Sequence, residues 1–237
     1  MKTSLARRVA AEFIGTLFLV AAVVGSGIMG DRLASGNVAI ALLANTIATG
    51  AALVALIFAF GGISGAHFNP VVTFMDAWER GLPWGEVPHY VAAQLVGGIG
   101  GTVVANLMFG LPQISISRHV RAGLPQLFSE FVATFGLLSV VWGCSRLRST
   151  AVPFVVGAYI TAAYWFTSST SFANPAVTIA RCLSDTFAGI RPVDVLWFVI
   201  AQFLGGVAAT MLFRWMVPNL ESRGAKGVLL AHGSENR

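Results

Sequence analysis

"SGAHFNPVVTF" (residues 64–74) and "SFANPAVTIAR" (residues 171–181) place two similar Asn-Pro turns inside long apolar stretches of the chain. A proline suits the first turn of a helix, where its missing N–H would have no partner, and an asparagine before it is a favourable N-cap. Asn69-Pro70-Val71 and Asn174-Pro175-Ala176 therefore each predict the start of a helix. The apolar segments that follow, about 70–79 and 175–185, are too short to cross a bilayer, so we expect two re-entrant half-helices.

The composition of the 237-residue chain is that of a membrane protein, with 56% hydrophobic and 11% charged residues. Soluble domains carry about 25% charged residues. The net charge of +5 is modest, and we interpret it as loop lysines and arginines facing anionic lipid rather than a nucleic-acid surface. The sequence contains no nucleotide motif, metal-ligand cluster or nucleophile–base pair, so we expect no enzyme activity, no cofactor and no metal site.

Six further apolar segments reach the length that a spanning helix needs, about 20 residues. They lie at about 8–29, 38–60, 87–109, 127–146, 152–168 and 194–217. Within the first segment, the apolar run 13–24 follows Lys2, Arg7 and Arg8 and so resembles a signal peptide. Because Glu12 opens it and its pattern recurs in the second half, we expect an uncleaved first helix instead.

The two halves of the chain repeat one design. "AEFIGTLFL" (11–19) matches "SEFVATFGL" (129–137), and "AAQLVGG" (92–98) matches "IAQFLGG" (200–206), in the same order around the two Asn-Pro motifs. Three spans per half is an odd number, so the second half enters the membrane from the opposite side, which is an inverted-topology repeat. We predict a single domain, 1–237, with half-repeats at about 1–115 and 120–218 and a polar tail at about 219–237.

The distribution of lysine and arginine predicts the orientation. Ten of these residues fall on the side of the N-terminus and five on the other: Lys2, Arg7, Arg8, Arg80, Arg146, Arg148, Arg214, Arg223, Lys226 and Arg237 against Arg32, Arg118, Arg121, Arg181 and Arg191. Because cytoplasmic loops are enriched in positive charge, we expect both termini in the cytoplasm of a multi-pass plasma-membrane protein.

Inverted symmetry brings the two half-helix starts together near the middle of the membrane. Each helix start carries about half a positive charge, which disfavours cations at this point. The amides of Asn69 and Asn174 supply donors, and the unwound carbonyls around 64–68 and 169–173 supply acceptors. Donors and acceptors along one face of an apolar wall suit a small neutral polar solute in single file.

Glu12 and Glu130 occupy equivalent positions in the first helix of each half. A carboxylate inside a membrane is costly and usually has an inward-facing partner. We predict that each glutamate accepts hydrogen bonds from the loop before its half-helix, with His67 joining the Glu12 side. The alternative is that each acid lies shallow enough to reach water.

With these motifs the chain resembles the aquaporin and aquaglyceroporin family, the major intrinsic proteins. The resemblance covers nearly the whole chain: six spans, two half-helices, "SGAHFNPVVT", "FANPAVT" and the paired glutamates. It implies an all-α fold, a passive channel and a homotetramer in which every subunit has its own pore. It also implies an asparagine site and, further out, a narrower four-residue selectivity filter.

The filter arginine of the family directly follows the second motif, where this chain has Val177. Family spacing puts the other filter positions on Thr49, Ala162 and Ser171. All four residues are small and none is charged, which predicts a wide, mildly polar filter. The resemblance, which is to a bacterial branch without the filter arginine, then implies permeation of glycerol, urea-like solutes, water and undissociated arsenite, antimonite or methylated arsenicals.

Arg181 lies four residues beyond Val177 and so on the same helix face, one turn further out. We predict that it lines the outer vestibule and restores part of the field against cations. A salt bridge with Asp185 or a solvated loop position is the alternative. Cys182 and Cys144 fall near opposite membrane faces and are interpreted as packing residues, with trivalent arsenic or mercury binding at Cys182 as the alternative.

The sequence is also compatible with two other functions. A water-selective aquaporin would share the fold, although the missing filter arginine argues against strict water selection. An ion-coupled secondary transporter would also have inverted repeats and broken helices, but it normally needs acids or unwound carbonyls at a midplane ion site. Here the midplane groups that the sequence predicts are neutral amides.

Overall fold

The computed structural model describes residues 3–147 and 149–217, and within these ranges the chain is helical without strands. The helices are α1 (Leu5–Leu33), α2 (Val38–Ser64), α3 (Pro70–Trp78), α4 (Val87–Met108), α5 (Leu124–Leu147), α6 (Val152–Phe166), α7 (Pro175–Arg181) and α8 (Pro192–Met216), with 3-10 turns at Trp84–Glu86 and Ser149–Ala151. All eight predicted segments are helical, so the all-α prediction is confirmed. The predicted tail at 219–237 lies outside the described residues.

Five of these helices, namely α1, α2, α4, α5 and α8, are long and apolar enough to cross a membrane. The sixth predicted span, α6, has 15 residues, or about 23 Å at 1.5 Å per residue. It ends at Phe166, before the predicted 168, because Thr167 turns into extended backbone. Likewise α7 stops at Arg181 rather than at 185, because the chain turns back at Cys182.

The packing of the helices follows the repeat. In the first half α1 packs against α2 and α4, and in the second half α5 packs against α6 and α8. The halves meet where α2 packs on α6, and where α3 and α7 each contact both α4 and α8. The two half-helices thus lie between the halves, and their first residues face each other.

Glycines at matching positions allow the helices within each half to approach closely. A Cβ atom at Gly97 of α4 would collide with the carbonyl oxygen of Phe13 on α1. A Cβ at Gly205 of α8 would collide in the same way with the carbonyl oxygen of Phe131 on α5. Since lipid gives apolar helices no hydrophobic reason to associate, such close backbone contact is a main source of packing energy.

The buried carboxylates Glu12 and Glu130 hold the loops that precede α3 and α7. Glu12 accepts hydrogen bonds from the backbone N–H of His67 (2.9 Å) and of Phe68 (2.7 Å). It also accepts from Ser64 Oγ (2.6 Å) and Gln94 Nε2 (2.8 Å). Neither glutamate has measurable exposure, so the alternative that they reach water is wrong.

Glu130 repeats this arrangement in the second half. Its two carboxylate oxygens accept from the backbone N–H groups of Phe172 and Ala173, both at 2.9 Å. Gln202 Nε2 donates to the same carboxylate at 2.6 Å, as Gln94 does in the first half. Both glutamates therefore hold the backbone of the loops before α3 and α7, and both are fully buried.

Gly97→Ala and Gly205→Ala are expected to destabilise the protein, because each new methyl group must push two helix backbones apart, at a cost of about 1–3 kcal/mol. Thermal unfolding in detergent measures the effect. Gly100→Ala is the matched control on α4, since its Cβ would make only an ordinary contact with Leu17. Equal loss of stability in all three variants would contradict the close-approach argument.

Glu130→Gln is expected to lower thermal stability and solute flux together, because a hydrogen bond to a charged group contributes about 1.5–3 kcal/mol and an amide presents one acceptor oxygen instead of two. Glu12→Gln should do the same in the first half. Glu86→Gln serves as the control, because the Arg8–Glu86 pair is partly exposed, at 23% and 22% of its side-chain surface, and ion pairs that reach solvent contribute about 0–1 kcal/mol. Unchanged stability and flux in both buried variants would contradict the anchoring role.

Candidate functional site: a cavity between the two Asn-Pro motifs

Both Asn-Pro motifs start helices by the same local geometry. Asn69 is extended, and its side-chain oxygen accepts a hydrogen bond from the N–H of Val71 at 2.9 Å. Asn174 is also extended and accepts from the N–H groups of Ala176 (3.0 Å) and Val177 (3.3 Å). In each motif the proline occupies the first helical turn.

The amide nitrogens of the two asparagines tie the motifs to each other. Asn69 Nδ2 donates to the carbonyl of Ala173, and Asn174 Nδ2 donates to the carbonyl of Phe68, both at 2.8 Å. A side-chain amide carries two N–H groups, so each asparagine keeps one for another acceptor. Both asparagines line the same cavity, which gives that cavity two hydrogen-bond donors at its centre.

The loops before the half-helices supply acceptors. Ala66 and Phe68 have φ near +50°, and so do their counterparts Ser171 and Ala173. This left-handed backbone is uncommon for residues with a side chain, and it persists only where the surroundings hold it, here through the two glutamates. Within the described residues, no donor reaches the carbonyl oxygens of Ala66, His67, Ser171 or Phe172, all of which line the cavity. A buried carbonyl needs a partner, and a solute or water in the cavity would provide it.

The rest of the cavity wall is mostly apolar. The cavity has a volume of about 70 Å³, enough for several water-sized molecules at about 10–15 Å³ each. Its aliphatic lining comes from both halves of the chain: Leu19, Val23, Leu53, Ile57, Val72, Leu137, Val141, Val156, Ile160 and Val177. Hydrogen-bonding groups on one line and aliphatic side chains elsewhere suit a solute that is polar but uncharged.

Three of the four predicted filter positions lie on this wall. Thr49, Ser171 and Val177 all line the cavity. The prediction for Ala162 is wrong: Ala162 is exposed on the outer surface of the bundle. Tyr164, two positions later and about 200° around the helix, lines the cavity instead, and its hydroxyl lies 3.3 Å from Thr49 Oγ1. The wall at this level is consequently less open than four small residues would make it.

Arg181 is buried and lines the cavity together with these residues. Its guanidinium carbon lies 3.4 Å from the centre of the Phe172 ring, and its Nε donates to the carbonyl of Ala188. Its Nη1 has no protein partner among the described residues. The alternatives for Arg181 are not observed, because Asp185 pairs with Arg118 at 2.8 Å and because Arg181 is shielded from solvent.

Sequence reasoning missed a second buried arginine, Arg121, which lies against the same Phe172 ring as Arg181. Arg121, in the segment between α4 and α5, donates to the carbonyls of Gly189 (2.8 Å) and Ser169 (3.1 Å). Its guanidinium carbon lies 4.9 Å from the centre of the Phe172 ring. Burial lowers the pKa of Arg121 to about 10, so it remains charged at neutral pH. In the sequence it is indistinguishable from a solvated loop arginine.

Cys182 packs against the cluster of Phe172, Ile190 and Phe198. Burial raises the pKa of its thiol. The thiolate is the form that binds soft metals and metalloids, so this environment favours the packing interpretation over a binding site.

His67 contributes to the first half in two ways. Its backbone N–H donates to Glu12, as described above. His67 also lines the cavity, and its buried ring faces Asp76, with 3.4 Å between Nε2 and Oδ2. Sequence reasoning did not identify Asp76. The repeat could have identified it, because Asp76 lies seven residues after Asn69, as Arg181 lies seven residues after Asn174.

Comparison with known proteins agrees with this geometry. The family model of the major intrinsic proteins matches residues 1–167 and 144–236. The chain is 54% identical over 213 residues to aquaglyceroporin AqpS of Rhizobium meliloti (strain 1021), covering 90% of this chain and 91% of the relative. It is 31% identical to aquaporin NIP1-1 of Oryza sativa subsp. japonica, covering 87% and 73%.

A solved structure shares the fold: the aquaglyceroporin from Plasmodium falciparum superposes with a TM-score of 0.75 at 20% identity, covering 92% of this chain and all of the other. The inverted repeat, the paired Asn-Pro half-helices and the family match over nearly the full length agree with one another. The chain belongs to the major intrinsic protein family.

Proposed function

We propose that the protein is a passive membrane channel for small neutral solutes such as glycerol. The observation that carries this proposal is the cavity at the meeting point of the two Asn-Pro motifs. It combines two free amide donors, a line of unpaired carbonyl acceptors and an aliphatic wall. The 54% identity to a protein named as an aquaglyceroporin supports it.

Charge at the cavity favours neutral solutes over cations. Two half-helix starts point at the centre, and each contributes a partial positive charge. Arg181 adds a full charge at the wall, and no carboxylate lines the cavity in the part of the chain that the structure describes. An ion-coupled transporter would need a cation site at this level, which argues against that alternative.

The residues at the level of Thr49 favour solutes larger than water. Val177 replaces the family's arginine, which removes a fixed charge and five N–H donors from this position. Val177 and Tyr164 offer apolar surface, and Thr49 and Ser171 offer hydroxyls. Such a mixed wall matches the carbon and hydroxyl faces of glycerol, and we extend the proposal to urea and to undissociated arsenite, antimonite and methylated arsenicals.

A water-selective channel is the second candidate, and one observation favours it. The contact between the Tyr164 hydroxyl and Thr49 reduces the opening that the sequence predicts. Light-scattering measurements on proteoliposomes separate the candidates, because the same vesicles report water and glycerol permeability. Glycerol permeability no higher than that of empty vesicles, with fast water flux, would overturn the aquaglyceroporin assignment.

Membership of the family supports a proposal on location and assembly. We propose a multi-pass protein of the bacterial inner membrane, with both termini in the cytoplasm, that assembles as a homotetramer with one pore in each subunit. Large exposed apolar side chains on α2, α6 and α8, such as Ile47, Phe154 and Trp215, fit burial in lipid or against other subunits.

Val177→Arg is expected to reduce glycerol flux at least about tenfold while retaining water flux, because the guanidinium fills the cavity wall beside Tyr164 and binds water in place of the larger solute. Paired glycerol and water permeabilities measure the change. Val177→Leu is the control for added volume without charge. If Val177→Leu blocks glycerol as strongly, volume rather than the guanidinium decides selection.

Arg181→Leu is expected to increase the leak of small cations through the channel, since it removes a full charge from the wall without opening the asparagine site. Arg181→Lys retains the charge and should keep most of the exclusion. Conductance of tetramers in planar bilayers measures the leak. Equal leak in wild type, Arg181→Leu and Arg181→Lys would show that the half-helix starts suffice and that Arg181 has no part in exclusion.

A further inference from the structure

The two half-helices carry opposite charges at matching positions. Asp76 on α3 and Arg181 on α7 each lie seven residues after the motif asparagine. Both side chains are buried, with 3% and 1% exposure. Each faces the residue two positions before the asparagine, which is His67 in the first half and Phe172 in the second. At one end of the cavity the Arg181 guanidinium lies against the Phe172 ring. At the other end the Asp76 carboxylate lies against the His67 imidazole.

The ring of His67 is held at both nitrogens. Nδ1 lies 3.1 Å from Thr73 Oγ1, and Nε2 lies 3.4 Å from Asp76 Oδ2. His67 lines the cavity, whereas Asp76 lies behind it and is not part of the cavity lining. Asp76 can therefore influence a solute only through His67.

The hydrogen bonds of the Thr73 hydroxyl depend on the protonation of His67, because Thr73 contacts both the His67 ring and the Asn69 carbonyl. The Thr73 hydroxyl has one hydrogen, which it donates to the carbonyl of Asn69 at 3.1 Å, and it accepts from Gln94 Nε2 at 2.8 Å. In that arrangement His67 Nδ1 must be a donor to Thr73. If Nε2 also carries a hydrogen toward the Asp76 carboxylate, 3.4 Å away, the ring is an imidazolium and forms an ion pair with Asp76.

A neutral His67 needs a different arrangement. The ring can keep one hydrogen on Nε2 toward Asp76, but Thr73 must then turn its hydroxyl from Asn69 to Nδ1. In that tautomer, loss of one proton from His67 breaks the hydrogen bond that Thr73 donates to the carbonyl of Asn69. The two states differ both in charge at the cavity wall and in the bonding of the helix start.

The titratable groups around His67 come from three elements. Glu12 on α1 accepts its backbone N–H, Asp76 on α3 faces Nε2, and the Tyr90 ring on α4 lies 5.4 Å from the imidazole ring, centre to centre. From α2 the nearby group is the neutral hydroxyl of Ser64, which donates to Glu12. The Arg8–Glu86 pair lies beyond Tyr90 and is internally balanced.

We propose that Asp76 is a positioning residue that holds His67 as a titratable cation on the wall of the conduction path. Solute flux then depends on pH on the α3 side of the cavity. The inference rests on the proposed channel function. The charge of a protonated ring beside the cavity attracts the dipoles of water and hydroxyl groups, so neutral solutes pass more slowly when His67 is charged. Removal of Asp76 removes the carboxylate that favours the charged ring.

Nitrogen-15 NMR of the imidazole measures the titration directly and without any transport. The sample is the full chain in lipid, with His67 as its single histidine after His89→Gln, His119→Gln and His232→Gln. In this background Asp76→Asn is expected to move the midpoint of the His67 titration to lower pH by about 1–3 units, the usual effect of one close carboxylate. Glu86→Gln is the matched control, a carboxylate neighbouring the same helices that does not face His67, and should leave the midpoint in place.

Glycerol flux at a series of pH values supplies the functional readout. Wild type is expected to lose flux severalfold as the pH falls through the midpoint seen by NMR, and Asp76→Asn should show the same loss at lower pH. His67→Phe, which copies the Phe172 of the second half, should have a flat profile. A merely structural role of Asp76 would lower flux equally at every pH.

Two results would overturn the inference. The first is an unchanged His67 midpoint in Asp76→Asn, and the second is a flux profile that is the same in wild type, Asp76→Asn and His67→Phe. Both leave the channel function intact as long as glycerol passes. Absence of glycerol flux at every pH, together with a normal His67 titration, would instead overturn the proposed function, so the two failures are distinguishable.

Discussion

Carboxylate-to-backbone hydrogen bonds at Glu12 and Glu130 are the constraint on which the rest of this structure depends. A charge at zero exposure is tolerated because Glu12 accepts from four donors and Glu130 from three. These bonds fix the left-handed residues of both loops, and both loops line the cavity. The glutamates therefore act on solutes indirectly, through the backbone that they hold.

The asparagines complete the same construction. Each caps its own half-helix with its oxygen and bonds the opposite loop with its nitrogen, so that two halves of the chain are joined at one point. This leaves one donor per amide for a solute. A polar solute in single file then exchanges hydrogen bonds with donors and acceptors that are already in place, and the protein has little to reorganise as the solute passes.

The scaffold is symmetric, but the chemistry of the cavity is not. The glutamates, glutamines, asparagines and close-packed glycines recur in both halves. The side chains around them differ: His67 and Asp76 in the first half stand where the second half has Phe172 and Arg181. The symmetric backbone gives the pathway its shape. The side chains that differ between the halves give its two ends different charge and hydrogen-bonding properties.

The amino-acid sequence by itself predicted the eight helical segments, the repeat, the half-helix starts and the loops that bond the paired acids, because each rests on local preferences or on matching positions in the two halves. It did not identify Gln94 and Gln202 as further partners of those acids. The resemblance to the family added Thr49, Ser171 and Val177, which line the same cavity. The prediction failed at Ala162, since an error of two residues along a helix reverses the face that points inward, and Tyr164 was missed as a result.

The tertiary structure alone decided that Arg181 stacks on Phe172, that Asp185 pairs with Arg118, and that Arg121 is buried. The contacts of Arg118 and Arg121 join segments far apart in the chain, and the contact of Arg181 with Phe172 depends on how the loop before α7 folds. No periodicity or spacing within one segment encodes which side chain will fill a given space.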